Sequence, residues 1–154
     1  MTSYPLRPVE VSAHIPARPD EVFALVADTR NDPRWCPNVE TVELVEGSGV
    51  AVGARFRFHQ HLDRPGGERL QFDVDLEVIS IGDRTITWLA TDRLQTREIS
   101  LTVEPDGDGT RITQVTKPIF RRRPGLVRWL YPRLARRTFA NQFEKLAEHF
   151  QGLE

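Results

Sequence analysis

Strict alternation between apolar and polar residues, repeated in one segment after another, is the feature that most limits the fold of this chain. The clearest case covers residues 70–78, where apolar side chains at every second position alternate with Gln, Asp and Glu. Successive side chains of a β-strand point to opposite faces, so the pattern predicts a strand with one dry and one wet face. Similar patterns predict strands over residues 9–15, 39–46, 54–62, 84–91, 95–104 and 110–118.

Short turns join the expected strands from residue 39 onwards. The turn segments are Gly47-Ser48-Gly49, Arg64-Pro65-Gly66-Gly67, Gly82-Asp83 and Asp106-Gly107-Asp108-Gly109. All are rich in residues that favour tight turns. Parallel neighbours would need long crossover connections, for which the chain has no room here. The sequence therefore predicts an antiparallel meander of about seven strands, including the N-terminal one.

Helical patterns occur between the first two strands and at the C-terminal end. Pro19-Asp20-Glu21 is typical of a helix start, and a second short helical turn is expected over residues 29–34. Two apolar series at four-residue spacing then predict one long helix over residues 124–150. They are Leu126, Leu130 and Leu134, and Tyr131, Ala135 and Phe139, continued by Phe143, Leu146, Ala147 and Phe150. Pro132 should kink or break this helix near its start.

The order of these elements predicts a single α+β domain over residues 1–154, with a flexible N-terminus at residues 1–8. One dry sheet face and one long amphipathic helix must bury each other. A long antiparallel sheet twists and tends to curl. We therefore expect a curved sheet around the C-terminal helix, with space between them that side chains need not fill completely.

This pattern resembles the START-like superfamily, also called SRPBCC, in its polyketide cyclase/dehydrase and lipid-transport branch. The likeness rests on residues 11–23 (VSAHIPARPDEVF), Asp28, residues 34–37 (RWCP), residues 42–44 (VEL) and 52–56 (VGARF), and residues 109–113 (GTRIT). The resemblance implies a helix-grip fold with a cavity for a lipid, polyketide or aromatic metabolite. It implies no shared catalytic motif and no cofactor. Binding of a hydrophobic molecule is the expected function, and a cyclase- or aromatase-type reaction in the same cavity is the alternative.

Candidate ligand-binding residues are those whose strand or helix register points to the interior, together with Trp35, a loop residue that would either close the pocket mouth or anchor the helix pair in the core. They are Trp35, Phe56, Phe58, Gln60, Phe72, Val74, Trp88, Arg97, Gln114, Thr116, Phe139 and Phe143. A solid core built from the same aromatic residues is the alternative. The polar members matter most, because a buried polar group without a partner costs about 1–3 kcal/mol. Catalytic residues are not identified.

Two other features, a histidine row and the single cysteine, are candidates for a functional site. His59, His61 and Asp63 share one strand face, but Arg55 and Arg57 lie on that face too, which is typical of a solvated row. No metal site is therefore expected. The single cysteine, Cys36, has no adjacent base to form a thiolate, so a structural role is expected.

Charge is distributed unevenly along the chain. Nine basic residues and one acid, Glu144, lie between Lys117 and Lys145, whereas the rest of the chain is acidic. A solvated helix face is one interpretation, and a weak contact with anionic membrane through Arg121, Arg122 and Arg123 is another. No nucleic acid partner is expected, and the chain is expected to be a monomer or homodimer. The lack of a signal-peptide pattern favours the cytoplasm.

Overall fold

A computed structural model describes residues 2–63 and 66–152, and within them one antiparallel sheet packs against one long helix. Its strands are β1 (Tyr4–Pro5), β2 (Val9–Ile15), β3 (Val39–Glu46), β4 (Arg55–Asp63), β5 (Arg69–Gly82), β6 (Thr85–Thr91), β7 (Gln95–Asp106) and β8 (Gly109–Phe120). The helical elements are α1 (Pro19–Ala27), a 3-10 helix (Thr29–Arg34) and α2 (Val127–Gln151). The predicted helix-grip architecture is confirmed.

Strands β3 to β8 lie side by side in chain order, as the short turns predicted. Both β2 and β1 pair with the free side of β8, so the N-terminal strand closes that edge of the sheet. The first eight residues, which we expected to be flexible, include β1, where Tyr4 pairs with Phe120 and Pro5 with Ile119. In the expected turn between β4 and β5, Arg64 and Pro65 lie outside the described residues.

The alternating residues divide between the two sheet faces as the sequence predicted. In β5, Val74, Leu76 and Val78 are buried, whereas Asp73 and Asp75 are exposed on the other face. The apolar side chains of β4, β6, β7 and β8 point to the same interior. This interior also receives α1 through Val22 and Val26. Burial of apolar surface on one face is the main favourable contribution to such a fold.

Helix α2 presents the second of its two apolar series to the interior. Ala135 and Phe139 pack against Val9 of β2, and Phe143, Leu146 and Phe150 join the main core. The first series does not belong to the buried stripe, because Leu126, Leu130 and Leu134 are all exposed. The helix runs continuously through Pro132 instead of breaking there. Within the described ranges, no helix combines the length and apolar composition that a membrane span requires.

Candidate ligand-binding cavity

A cavity of about 950 Å³ lies between the inner face of the sheet, the 3-10 helix and α2. Small-molecule sites are commonly clefts of about 300–1,000 Å³ with mainly apolar walls and a few polar groups. Nine of the predicted site residues line this cavity: Trp35, Phe58, Gln60, Phe72, Val74, Trp88, Arg97, Gln114 and Phe139. The strands and α2 thus leave between them a space that the aromatic side chains do not fill.

Three predicted site residues do not line the cavity. Phe56 and Phe143 are 2% and 1% exposed and pack within the main core. Thr116 is fully buried on β8, where its Oγ1 accepts a hydrogen bond from Gln114 Nε2 at 3.3 Å. Residues two apart on a strand share a face, so this pair satisfies itself in part. The cavity is therefore lined by part of the core, including Phe58, Val74 and Trp88, whereas Phe56 and Phe143 lie behind its wall.

Six buried polar side-chain atoms have no hydrogen-bond partner within residues 2–63 and 66–152. They are Thr29 Oγ1, Asp32 Oδ1, Trp35 Nε1, Trp88 Nε1, Gln95 Oε1 and Arg97 Nε. Every one belongs to a residue that lines the cavity. Buried polar groups in folded proteins are nearly always paired, and each unpaired one carries a desolvation cost. The residues that carry these atoms surround one space.

The 3-10 helix places the first polar cluster, Thr29, Asp32 and Trp35, at the cavity. Asp28 caps the helix, because its Oδ1 accepts hydrogen bonds from Arg30 N at 3.1 Å and Arg30 Nε at 2.9 Å. Pro33 has no N–H and favours a short, tight helix over a longer α-helix. The Asp32 carbonyl then accepts hydrogen bonds from the N–H groups of Trp35 and Cys36, at 3.1 and 2.7 Å. This local geometry fixes Asp32 and Trp35 on the cavity wall.

Burial changes the acid-base character of this cluster. It raises the pKa of Asp32 well above its ordinary value, and the nearby charge of Asp28 raises it further. The pKa of the Cys36 thiol is likewise raised, first by burial and then by Asp32. Both effects favour the neutral forms. The cluster therefore resists negative charge more than an exposed carboxylate and thiol would.

The second polar cluster lies on β7, where Gln95 and Arg97 face the cavity. Three strands separate β7 from β3, which packs against the 3-10 helix. Arg97 Nη2 lies 4.0 Å from Asp92 Oδ2, and Asp92 Oδ1 already accepts hydrogen bonds from the N–H groups of Leu94 and Gln95. Tyr131 of α2 adjoins this cluster. Burial raises its pKa, whereas the charge of Arg97 and hydrogen bonds from Gln95 and Arg97 act in the opposite direction.

The family model for polyketide cyclase/dehydrase and lipid transport proteins matches residues 7–151. This chain belongs to that family. The match covers β2 through the last residue of α2, so it includes all elements that form the cavity. The resemblance noted in the sequence is therefore confirmed at the level of the family. No curated protein sequence is significantly similar to the chain.

Solved structures similar to this family member have the same fold. One is TTHA0849 of Thermus thermophilus, which is 19% identical with a TM-score of 0.74, the match covering 96% of this chain and 99% of that one. A START superfamily protein of Mycobacterium smegmatis is 15% identical with a TM-score of 0.75, over 96% and 99% of the two chains. The ZhuI aromatase/cyclase of Streptomyces sp. R1128 is 16% identical with a TM-score of 0.74, over 96% of each chain.

Several polar residues of the cavity were not among the sequence candidates. They are Thr29, Asp32, Asn38, Gln71, Asp73, Asp92, Arg93, Gln95, Thr138 and Gln142. Half of them lie in short helical or turn segments, where no period of two marks an inward face. Asp32 could have been suspected, since the tight segment that contains it runs directly into the Trp35-Cys36 pair. Cys36 also lines the cavity, although we expected a structural role for it.

The histidine row of β4, His59 and His61, lies on the outer face of the sheet, away from the cavity between the sheet and α2. His59 contacts Glu43 Oε1 at 3.0 Å and Asp73 Oδ1 at 2.7 Å, and these hydrogen bonds, first that of Glu43, raise the pKa of His59. His61 Nδ1 contacts Glu40 Oε1 at 3.1 Å. Across the described ranges, no three His, Cys, Asp or Glu side chains are grouped so that they could hold a metal ion. The row is a cross-strand electrostatic network.

Proposed function

We propose that this protein binds one hydrophobic small molecule with oxygen-bearing ends in the cavity between the sheet and α2. One observation carries the proposal: the six unpaired buried polar atoms all belong to the lining of a single cavity of about 950 Å³. Trp35, Trp88 and Arg97 offer N–H donors, and Asp32 in its neutral form offers an O–H. A ligand with carbonyl, hydroxyl or carboxylate oxygens would accept hydrogen bonds from them.

The apolar walls favour a ligand whose middle is a hydrocarbon chain or ring system. Phe58, Phe72, Trp88 and Phe139 contribute aromatic surface between the two polar clusters. Contact with such surface contributes about 25 cal/mol per Å² of apolar area removed from water. The proposed ligand contacts are Trp35, Phe58, Gln60, Phe72, Val74, Trp88, Arg97, Gln114 and Phe139 from the sequence candidates, together with Asp32 and Gln95.

Native mass spectrometry and titration with a dansylated fatty acid test this proposal. We expect a complex with one ligand per chain. Phe72→Trp adds ring volume inside the cavity and should weaken binding by about tenfold, because a filled site must exclude the ligand or distort. Ile79→Trp is the matched control, since it adds a similar ring at an exposed position of the same strand. Equal affinity in wild type and both variants would place the ligand outside the cavity.

A cyclase- or aromatase-type reaction in the same cavity is the second candidate. It is favoured by Asp32, because a carboxyl whose pKa is raised by burial keeps a proton that it can donate to a ligand oxygen. An acid-base enzyme also requires a matching base with a separated pKa. The described lining residues include no histidine or lysine to act as that base. Their other carboxylates are Asp73, which is exposed, and Asp92, whose Oδ1 already accepts two hydrogen bonds, so binding is the better supported function. Recovery of the bound molecule with its mass reduced by one water would instead favour the enzyme.

A further inference from the structure

The outward face of the first half of α2 exposes large apolar side chains. Leu126 and Trp129 are 79% and 74% exposed, and Leu130 and Leu134 are 53% and 60% exposed. Single exposed apolar residues are ordinary on protein surfaces, but contiguous groups mark interaction sites. Positions 126, 130 and 134 follow one another at one-turn spacing, and Trp129 adjoins them. We call these four residues the leucine–tryptophan face.

This face cannot turn inward without breaking the packing on the opposite side of α2. Tyr131, Ala135 and Phe139 hold that side against β2 and the end of β8. The same unbroken helix buries Phe143 and Leu146 in the main core. The exposure of the leucine–tryptophan face is therefore fixed by the fold.

Arginines surround and intersperse this apolar face. Those exposed along residues 122–137 are Arg122, Arg123, Arg128, Arg133, Arg136 and Arg137. None of them pairs with a carboxylate within residues 2–63 and 66–152. The solvated helix considered from the sequence would explain these charges, but it would not place Trp129 and three leucines among them.

The basic segment is also joined to the rim of the cavity. Leu94, in the turn between β6 and β7, lines the cavity and is 67% exposed. Its carbonyl accepts a hydrogen bond from Arg121 N at 3.1 Å. Arg121 Nη1 also donates a hydrogen bond to the carbonyl of Asp92. The apolar and basic surface thus begins where the cavity opens.

We infer that the leucine–tryptophan face and its arginines dock the protein on the surface of a bilayer that contains anionic lipids. Helices that lie in the membrane interface combine Leu and Trp with Lys or Arg, and anionic headgroups attract exposed basic residues. A second copy of this chain would bring two sets of unpaired arginines together in a symmetric interface, which opposes self-association. A nucleic acid would use the arginines but leave the apolar side chains in water.

Trp129 provides a direct readout of docking. Trp35 and Trp88 are 6% and 4% exposed, so an environmental change at the third tryptophan dominates any shift of emission. Addition of vesicles of phosphatidylcholine and phosphatidylglycerol, mixed at about 7:3, should shift the emission to the blue and cosediment the protein. Pure phosphatidylcholine should bind more weakly. Raising NaCl from about 50 to about 500 mM should weaken binding to the anionic vesicles by about tenfold.

Matched variants separate the apolar and electrostatic contributions. Trp129→Gln with Leu130→Gln should reduce vesicle binding by about tenfold or more, whereas Val45→Gln with Val52→Gln, at exposed positions elsewhere, should not. Arg122→Gln with Arg123→Gln should reduce binding to anionic vesicles by about tenfold. Arg55→Gln with Arg57→Gln removes the same charge from the outer face of β4 and should have little effect.

The inference does not depend on what the cavity holds. The two docking variants should bind the dansylated fatty acid as wild type does, so failure of the cavity proposal and failure of docking are distinguishable. Absence of vesicle binding at low salt, or equal losses in the control pairs, would overturn the inference. A second pair of results would also overturn it: the wild type forms a dimer that the Trp129→Gln, Leu130→Gln variant does not form, and vesicles leave the tryptophan emission of the wild type unchanged.

Discussion

Tyr131, in the second turn of α2, meets Phe120, the last residue of β8, edge to face, with ring centroids 5.6 Å apart and planes at 87°. This contact is part of the packing that holds one side of α2 against the sheet, together with Ala135 and Phe139. Aromatic pairs in this geometry contribute about 0.5–1.5 kcal/mol beyond the area that they bury. The pair also holds Tyr131 beside Gln95 and Arg97, so it connects the orientation of the helix to the cavity.

A double-mutant cycle should detect this coupling. We expect Phe120→Leu and Tyr131→Leu each to lower the free energy of unfolding, with a coupling of about 1 kcal/mol between them. Urea denaturation of the two single variants and the double variant measures it. Phe120→Leu combined with Ile15→Val should be additive, because Ile15 pairs with Thr110 at the far end of β8. Additive losses in the aromatic pair would show that the ring contact contributes nothing beyond burial.

The sequence predicted the sheet well because its strands carry their own signal. In β8, Ile112, Gln114 and Thr116 alternate with exposed or half-buried residues, and all three are buried as expected. The face of α2 was not decided, since the series containing Leu130 and the series containing Tyr131 have the same period. Which one turns inward depends on tertiary contacts, such as those of Tyr131 with Phe120 and of Phe139 with Val9, that no local pattern contains.

The cavity was less predictable than the fold for a related reason. Aromatic residues at inward positions either fill the interior or line a space, and residue type does not distinguish Phe56 from Phe58: both belong to the buried core, but only Phe58 also lines the cavity. Asp32 lies in a strongly polar segment that is typical of an exposed turn. The partial burial of Asp32 follows from the packing of the 3-10 helix beside β3, a tertiary effect.

Replacement of Asp32 by Asn should stabilise the protein above acid pH. Because burial raises the pKa of Asp32 in the folded state, the folded protein binds a proton that the unfolded chain releases from about pH 4 upwards. Asp32→Asn has no charge to bury. Relative to this variant, the wild type therefore loses stability as the pH rises, until the pH exceeds the pKa of Asp32 in the folded state. Thermal unfolding at a series of pH values should show the two melting temperatures converging in acid and separating towards neutral pH.

An exposed position provides the control for this pH dependence. Asp83→Asn removes an exposed carboxylate in the turn between β5 and β6, so a gain in stability equal to that of Asp32→Asn would show that burial of Asp32 is not the cause. A parallel course of wild type and Asp32→Asn would show that Asp32 is solvated in the folded protein.

Cys36 should react slowly with thiol reagents in the folded protein. It is the only cysteine, it is buried, and its thiol has a raised pKa, so little thiolate is present near neutral pH. The reaction with a disulfide reagent at pH 8 should be at least about tenfold slower than in urea. Because Cys36 lines the cavity, a bound fatty acid should slow it further. Rapid labelling in the folded protein, unaffected by the fatty acid, would contradict both the burial and the position of this thiol.

Arg97 should make the cavity prefer a ligand with an anionic oxygen. Its Nε is buried and unpaired, and its Nη2 lies at the limit of an ion pair with Asp92, whose Oδ1 already accepts two hydrogen bonds. A carboxylate placed there would accept a charge-assisted hydrogen bond, which contributes about 1.5–3 kcal/mol. We therefore expect dodecanoate to bind more tightly than its methyl ester, and we expect Arg97→Met to reduce the ratio of the two affinities by at least about tenfold.

Arg93→Met is the matched control, since Arg93 also lines the cavity but is exposed. Arg93→Met should change the preference for dodecanoate only slightly, and high salt should abolish that change, because an exposed charge acts through solvent. If the two variants behave alike, Arg97 acts as a general positive charge, and the direct contact is absent.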